Sequence, residues 1–216
     1  MGIQDIKTCS SVNHVIAVSQ SVKRDAILKY NVPRDKVTVI PLGVDTSWFK
    51  PCNGRSIREK LNISEGEFAF LFIGAAVPWK GIDVLMETAE LAQKEKQPFK
   101  FVLAGKFMER FKGYVTESKL KNIVFAEDIP DDELPKFYSA MDAYIHPAYY
   151  TTASTSITEA MACGLPIVAS NLPDISELVQ DGYNGFLFSK GNHVELYKSL
   201  KKLSENSGSM KKMGDN

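Results

Sequence analysis

Short β-branched apolar runs alternate along this chain with longer stretches of helical period, and that alternation constrains it most. It is the pattern of repeated βα units rather than of a sandwich or a helical bundle. Candidate strands are His14 to Ser19, Lys36 to Pro41, Phe68 to Ile73, Phe99 to Ala104, Asn122 to Phe125, Ala143 to His146, Pro166 to Ser170 and Gly185 to Phe188. Several are apolar at consecutive positions, as strands covered by helices on both faces are. Between them, Ile82 to Ala92 sets Val84, Leu85, Thr88, Ala89 and Ala92 on one helical stripe, and Asp132 to Met141 and Thr155 to Cys163 follow the same period. Each is long enough for a right-handed crossover, so the expected fold class is α/β with a Rossmann-like, doubly wound parallel sheet.

The clearest boundary runs from Leu42 to Asn62, where Gly43, Pro51, Cys52, Asn53 and Gly54 surround one short helical candidate. It separates a βαβ-like unit within residues 1–45, too small to bury its own core, from a main domain over 46–204. Beyond a lysine-rich helix at Leu196 to Leu203, Gly208 and a polar run predict a frayed or truncated segment over 205–216.

Composition narrows the function classes. Lys plus Arg and Asp plus Glu number 26 each, so no global field draws the chain to nucleic acid or an anionic membrane. Local clusters must carry any anion binding. Cys9, Cys52 and Cys163 are an odd set without metal-ligand spacing, and nothing near Met1 has the layout of a signal peptide. The expectation is reduced thiols in the cytoplasm. No apolar run approaches the roughly 20 residues that span a bilayer, although a partner at a membrane surface remains compatible.

In a parallel sheet of this kind, ligands bind beyond the carboxyl ends of the strands, and three loops there carry candidate chemistry. The first is Gly74-Ala75-Ala76-Val77-Pro78-Trp79-Lys80-Gly81, a glycine-bounded loop opening a helix. Its glycines allow close backbone approach and Lys80 supplies a cation for a phosphate, while plain turn glycines and a solvated lysine explain it as well. The second, Tyr149 to Glu159, sets the hydroxyls of Thr151, Thr152, Ser154, Thr155 and Ser156 beside a helix N-terminus, a donor-rich cradle for an anion or a sugar. There Ser156 and Glu159 also match the S-x-x-E capping box, so on the residues alone Glu159 reads as structural as readily as functional. The third, Ala169 to Glu177, leads from a strand toward a helix, with Asp174 as its cap and Pro173 ending the strand.

The remaining polar residues read as structural. His14, His146 and His193 have no triad or metal spacing, and only His146 falls at a ligand edge, where a hydrogen-bonded structural histidine is the reading. Asp128, Asp131, Asp132 and Glu133 suit the dipole of a helix start. Trp48 and Trp79 lie in loops, able to stack on a base or to cover apolar surface.

Taken in order, five segments resemble the family 4 glycosyltransferases, retaining enzymes of the two-domain GT-B fold. They are Val15-Ile16-Ala17-Val18-Ser19 with Val39 to Asp45; Pro78-Trp79-Lys80-Gly81-Ile82-Asp83; Phe101 to Gly105; Glu159 to Ser170; and Asp181-Gly182-Tyr183-Asn184-Gly185. The resemblance covers nearly the whole chain. It implies transfer of a sugar from a nucleotide-diphosphate donor to an acceptor hydroxyl with retention, without a bound metal or other cofactor. The donor would lie in residues 46–204, the Rossmann-like donor-binding domain. Lys80 matches the lysine that contacts the diphosphate, and Glu159 the second of two paired glutamates, with a ribose-binding role. Gly74, Thr151, Ser154, Thr155, Ser156, Lys106 and Glu177 complete the implied donor site.

The departures are specific. Thr151 stands where the first paired glutamate is expected, with Thr152, Ala153 and Ser154 in place of a glycine-rich stretch; Ala75 replaces an arginine, and Pro173-Asp174 a glycine pair. One cation then remains of two for the diphosphate, a loss of a few kcal/mol unless another group substitutes, with Lys106 or Arg110 as candidates. The resemblance also makes residues 1–45 the end of an N-terminal acceptor domain that is otherwise missing, so the chain is expected to be a fragment inactive alone. Two alternatives are a divergent GT-B-like binding domain that has lost donor chemistry, favoured by Thr151 and Ala75, and an epimerase-type enzyme of the same fold.

Overall fold

A computed structural model describes residues 12–106, 108–127, 129–152 and 154–216. Cys9, Asp128, Ala153, the first eleven residues of the predicted small unit and the side chain of Arg110 lie outside the described ones.

The chain begins with β1 (Val15–Ala17), α1 (Gln20–Tyr30) and β2 (Val37–Val39), a parallel pair with Val15 opposite Val37. Ser19 caps α1 by accepting from the Val22 amide at 3.0 Å, and Asn31, with φ of 53°, ends it. Ala17, Ala26, Val32 and Val37 form its small core, while Ile16 is 63% exposed.

After α2 (Arg55–Lys60) comes the main sheet. Its elements are β3 (Phe68–Ile73), α3 (Ile82–Lys94), β4 (Phe99–Ala104), α4 (Glu109–Glu117), β5 (Ile123–Ala126), α5 (Leu134–Ser139), β6 (Ala143–His146), α6 (Thr155–Ala162), β7 (Ile167–Ser170) and β8 (Gly185–Phe188). The six strands are all parallel, in the order β5-β4-β3-β6-β7-β8. Apolar side chains on both faces explain why. One face buries Phe70, Phe101 and Ile145 against Val84, Leu85 and Ala89 of α3 and against α7 (His193–Ser204). The other buries Leu71, Val102 and Tyr144 against Ile57, Phe137, Ile157 and Ala160. Each fully buried Phe or Leu contributes about 1.5–3 kcal/mol, so the sheet is stable only between two helical layers. The doubly wound parallel α/β sheet expected from the sequence is the fold observed.

Two expectations fail. Residues 205–216 are not frayed: α8 (Ser207–Asp215) is capped by Asn206, which accepts from the Ser209 amide at 2.9 Å, and Met213 is buried in the core. The polar sequence concealed this because few of its side chains do the docking. Gly214 does, lying so close that a Cβ there would sit 2.1 Å from the carbonyl oxygen of Gly164. Gly214→Val is expected to undock α8 at a cost of about 1–3 kcal/mol. Hydrogen exchange of the α8 amides, rising to the rate of free peptide, is the check. Also, Leu172 to Leu178 form successive turns, not the predicted helix.

Candidate functional site

The strand order reverses between β3 and β6, with β4 and β5 to one side and β7 and β8 to the other. The loops leaving those two strands therefore flank the crevice where an open parallel sheet binds its ligand. Lys80 leaves β3 and the run from Thr151 to Glu159 leaves β6, so both sequence candidates arrive at the switch point.

The loop after β3 turns through a single 3-10 turn, Pro78–Lys80, to Gly81, whose φ of 69° is left-handed. Only glycine fits, since a Cβ at Gly81 would lie 2.0 Å from the Pro147 carbonyl oxygen. The Trp79 carbonyl also accepts from the Tyr149 amide at 2.9 Å, which binds the Lys80 turn to the end of β6. Lys80 is half-buried, and desolvation holds its ammonium below the ordinary lysine pKa. Among the described residues no carboxylate pairs with it. A partly desolvated cation of this kind is electrostatically suited to an anion.

Gly74 and Lys106 belong to the same edge. The Gly74 amide donates to the Ala104 carbonyl at 2.9 Å, the Ala76 amide to that of Lys106 at 2.8 Å, and a Cβ at Gly105 would approach the Gly74 oxygen to 2.3 Å. Lys106 is exposed beside them.

After β6, Thr151 and Ser154 are each 8% exposed and Thr155 is open to solvent. Ser154 is the N-cap residue of α6, yet its side chain makes no capping bond. Its hydroxyl lies 2.9 Å from that of Ser156, which accepts from the Tyr144 hydroxyl at 2.7 Å. The capping box is thus absent: Ser156 lies inside the helix, and Glu159 accepts from the Tyr138 hydroxyl at 2.7 Å instead. Burial, with the Tyr144 and Glu159 charges behind it, pushes the Tyr138 phenol far up, so it stays a proton donor to Glu159.

Glu177 is placed elsewhere. Its two carboxylate oxygens accept from the Gln20 and Ser21 amides, both at 2.9 Å, and Asp174 accepts from the Ser19 hydroxyl. The loop after β7 therefore clasps the N-terminus of α1 instead of capping a helix of its own. The sequence carried no sign of this because 156 residues separate Ser21 from Glu177. Between the small unit and the sheet lies a cavity of about 300 Å³ reached by Arg24, Lys29, Tyr150, Thr151 and Asp174.

The hydrogen-bonded structural histidine expected at His146 is not what the fold contains. The ring is fully buried, with no hydrogen-bond partner at either nitrogen among the described residues. His14 and His193 do have partners, in Thr38 at 2.9 Å and Glu87 at 2.8 Å. Among the described residues no three His, Cys, Asp or Glu side chains gather as a metal site, and no helix is long and apolar enough to cross a membrane. A wider cavity of about 740 Å³ opens at the opposite edge of the sheet, where Arg58 is already paired with Asp142 at 3.1 Å.

Comparison with known proteins agrees with this architecture. An Anabaena protein, Alr3699/HepE, solved in complex with UDP and glucose, superposes with a TM-score of 0.88 at 22% identity, over 100% of this chain and 61% of its own. Sucrose-phosphate synthase from Thermosynechococcus elongatus gives a TM-score of 0.84 at 25% identity, over 97% and 53%. By sequence, the uncharacterised glycosyltransferase MJ1069 of Methanocaldococcus jannaschii is 28% identical over 94% of this chain and 52% of its own length. A D-inositol 3-phosphate glycosyltransferase of Acidothermus cellulolyticus is 25% identical over 86% and 44%. The chain spans about half the length of the curated relatives it matches. The family described as Glycosyltransferase Family 4 matches residues 4–48, ahead of the sheet just described. That sheet, with its switch-point loops, falls within residues 54–216, which match the description Glycosyl transferases group 1, and the chain belongs to that glycosyltransferase family.

Proposed function

We propose that this chain is the donor-binding part of a retaining glycosyltransferase, which moves a sugar from a nucleotide-diphosphate sugar to an acceptor hydroxyl. The observation that carries this reading is Lys80, a half-buried cation without a carboxylate partner among the described residues, at the switch-point edge where α6 also begins, its N-cap Ser154 making no capping bond. Relatives named as glycosyltransferases, and a structural neighbour solved with UDP and glucose, support the class of ligand.

When the bond between the sugar and the diphosphate breaks, negative charge grows on the departing phosphate oxygen. In this reading Lys80 and the first amides of α6 meet that charge, and both interactions strengthen as it develops. Lys106 and the backbone at Gly74 approach from the β4 side. Glu159, held by Tyr138, is assigned to the ribose hydroxyls, since a carboxylate keeps acceptor sites beyond the one Tyr138 uses. The hydroxyls of Thr151, Ser154, Thr155 and Ser156 serve the sugar. Glu177 is assigned to seating the small unit, because both its oxygens are engaged there. No step needs a metal or other cofactor. Acceptor contacts come from an N-terminal acceptor domain, with the acceptor at a membrane surface in one version of this reading, so these residues alone do not complete the transfer.

A second reading is a GT-B-like binding domain without catalysis. It is favoured by Ala75, which leaves Lys80 the one cation of its loop, and by Asp174, committed to Ser19. Calorimetric titration with sugars of UDP, GDP and ADP separates the two. Saturable binding to one of them is expected, unchanged by EDTA and weakened about fivefold to tenfold by Glu159→Gln. No binding to any by folded protein decides for the second reading.

A further inference from the structure

A buried polar side chain without a partner costs stability, so His146 calls for a role. Its ring is fully buried at the carboxyl end of β6 and stacks on Tyr144 at 6.2 Å. The Tyr144 hydroxyl is itself held by Ser156 at 2.7 Å and the Ile73 carbonyl at 3.3 Å, so the surface under the imidazole is fixed. Pro147, the next residue, packs its carbonyl against Gly81, and Tyr149 is bonded to Trp79, which ties the end of β6 to the Lys80 turn. Burial first, and then the positive charge of Lys80, hold the ring uncharged. An ammonium that no described carboxylate pairs with and a buried neutral imidazole without a described partner therefore share one rigid edge. A neutral imidazole has one nitrogen that donates and one that accepts, and an ammonium only donates.

We propose that His146 is a positioning residue for Lys80, its unprotonated ring nitrogen being the acceptor that holds the lysine ammonium in place when a diphosphate binds. The ring itself need not touch the ligand, consistent with its complete burial. An uncharged acceptor suits this role, because a carboxylate there would neutralise Lys80 and a protonated ring would repel it. The inference rests on the donor-site reading only in assigning a diphosphate to this edge.

The test uses inorganic pyrophosphate as probe, with calorimetry on the wild type, His146→Phe, His146→Gln, Lys80→Ala and the double variant Lys80→Ala/His146→Phe. His146→Phe is expected to weaken pyrophosphate binding about fivefold to tenfold, the worth of one ordinary hydrogen bond, since the ring acts on the ligand only through Lys80. Glutamine, which keeps an acceptor, restores most of the affinity. In the Lys80→Ala background His146→Phe changes nothing further, because the ring acts through the lysine. A merely structural histidine gives the same loss in both backgrounds, and that result, wild-type affinity in His146→Phe, or a glutamine variant as weak as phenylalanine overturns the assignment. Binding of pyrophosphate without binding of any nucleotide sugar sinks the donor reading and leaves His146 standing. Binding of neither ligand by folded wild type sinks both.

Discussion

Taking this protein from pH 7 to pH 5 is expected to cost about 2 kcal/mol of stability through one side chain, His146. Burial and the nearby Lys80 charge hold the ring neutral, pushing its pKa from the ordinary 6.5 down to about 3. In the unfolded chain the same ring takes up a proton near pH 6.5. The unfolded state thus binds more protons throughout the window between about 6.5 and 3. Stability from this group is fully present above that window and is lost as pH falls through it, at up to about 1.4 kcal/mol per pH unit. Carboxylates add their own acid dependence, so the diagnostic quantity is the difference between wild type and His146→Phe. Measured across this range by denaturant unfolding, wild-type stability should fall relative to that of His146→Phe as pH falls, whichever protein is the more stable at pH 7. Parallel profiles would mean that the ring is solvated or already paired.

Replacing Lys80 by methionine is expected to separate binding from stability. The variant keeps the apolar stem and removes the ammonium, so affinity for the donor falls between about tenfold and hundredfold, the range for one charge-assisted contact. Stability should hold or rise, because a half-buried cation that no described carboxylate pairs with is a cost to the fold. Calorimetry and thermal unfolding on the same samples give both numbers. Intact affinity, or a clear loss of stability, would make Lys80 a structural lysine.

Much of this was legible in the sequence because it depends on local pattern. Phe68 to Ile73, apolar at every position, had to be a strand covered on both faces, and the structure places β3 there. Lys80 and the Thr151 to Glu159 run were found by a rule that needs only strand ends, and the reversal of strand order between β3 and β6 brings them together. What stayed hidden was set by contacts distant in sequence. Ser156 and Glu159 have the spacing of a capping box, but Tyr138 and Tyr144, from other elements, take the two side chains. Glu177 gave no hint of its bond to α1. A polar terminal segment docks through Gly214, a residue whose importance lies in having no side chain. His146 had the pattern of an ordinary buried histidine, and only the packed environment reveals that no group among the described residues bonds its ring.

The most direct test of the central claim is a crystal structure of the chain with the nucleotide sugar selected by titration. The account predicts the diphosphate at the switch-point edge, within hydrogen-bonding distance of the Lys80 ammonium and the first amides of α6, with the ribose toward Glu159. A nucleotide seated instead in the cavity beside Arg58, at the opposite edge of the sheet, with Lys80 left untouched, would contradict it.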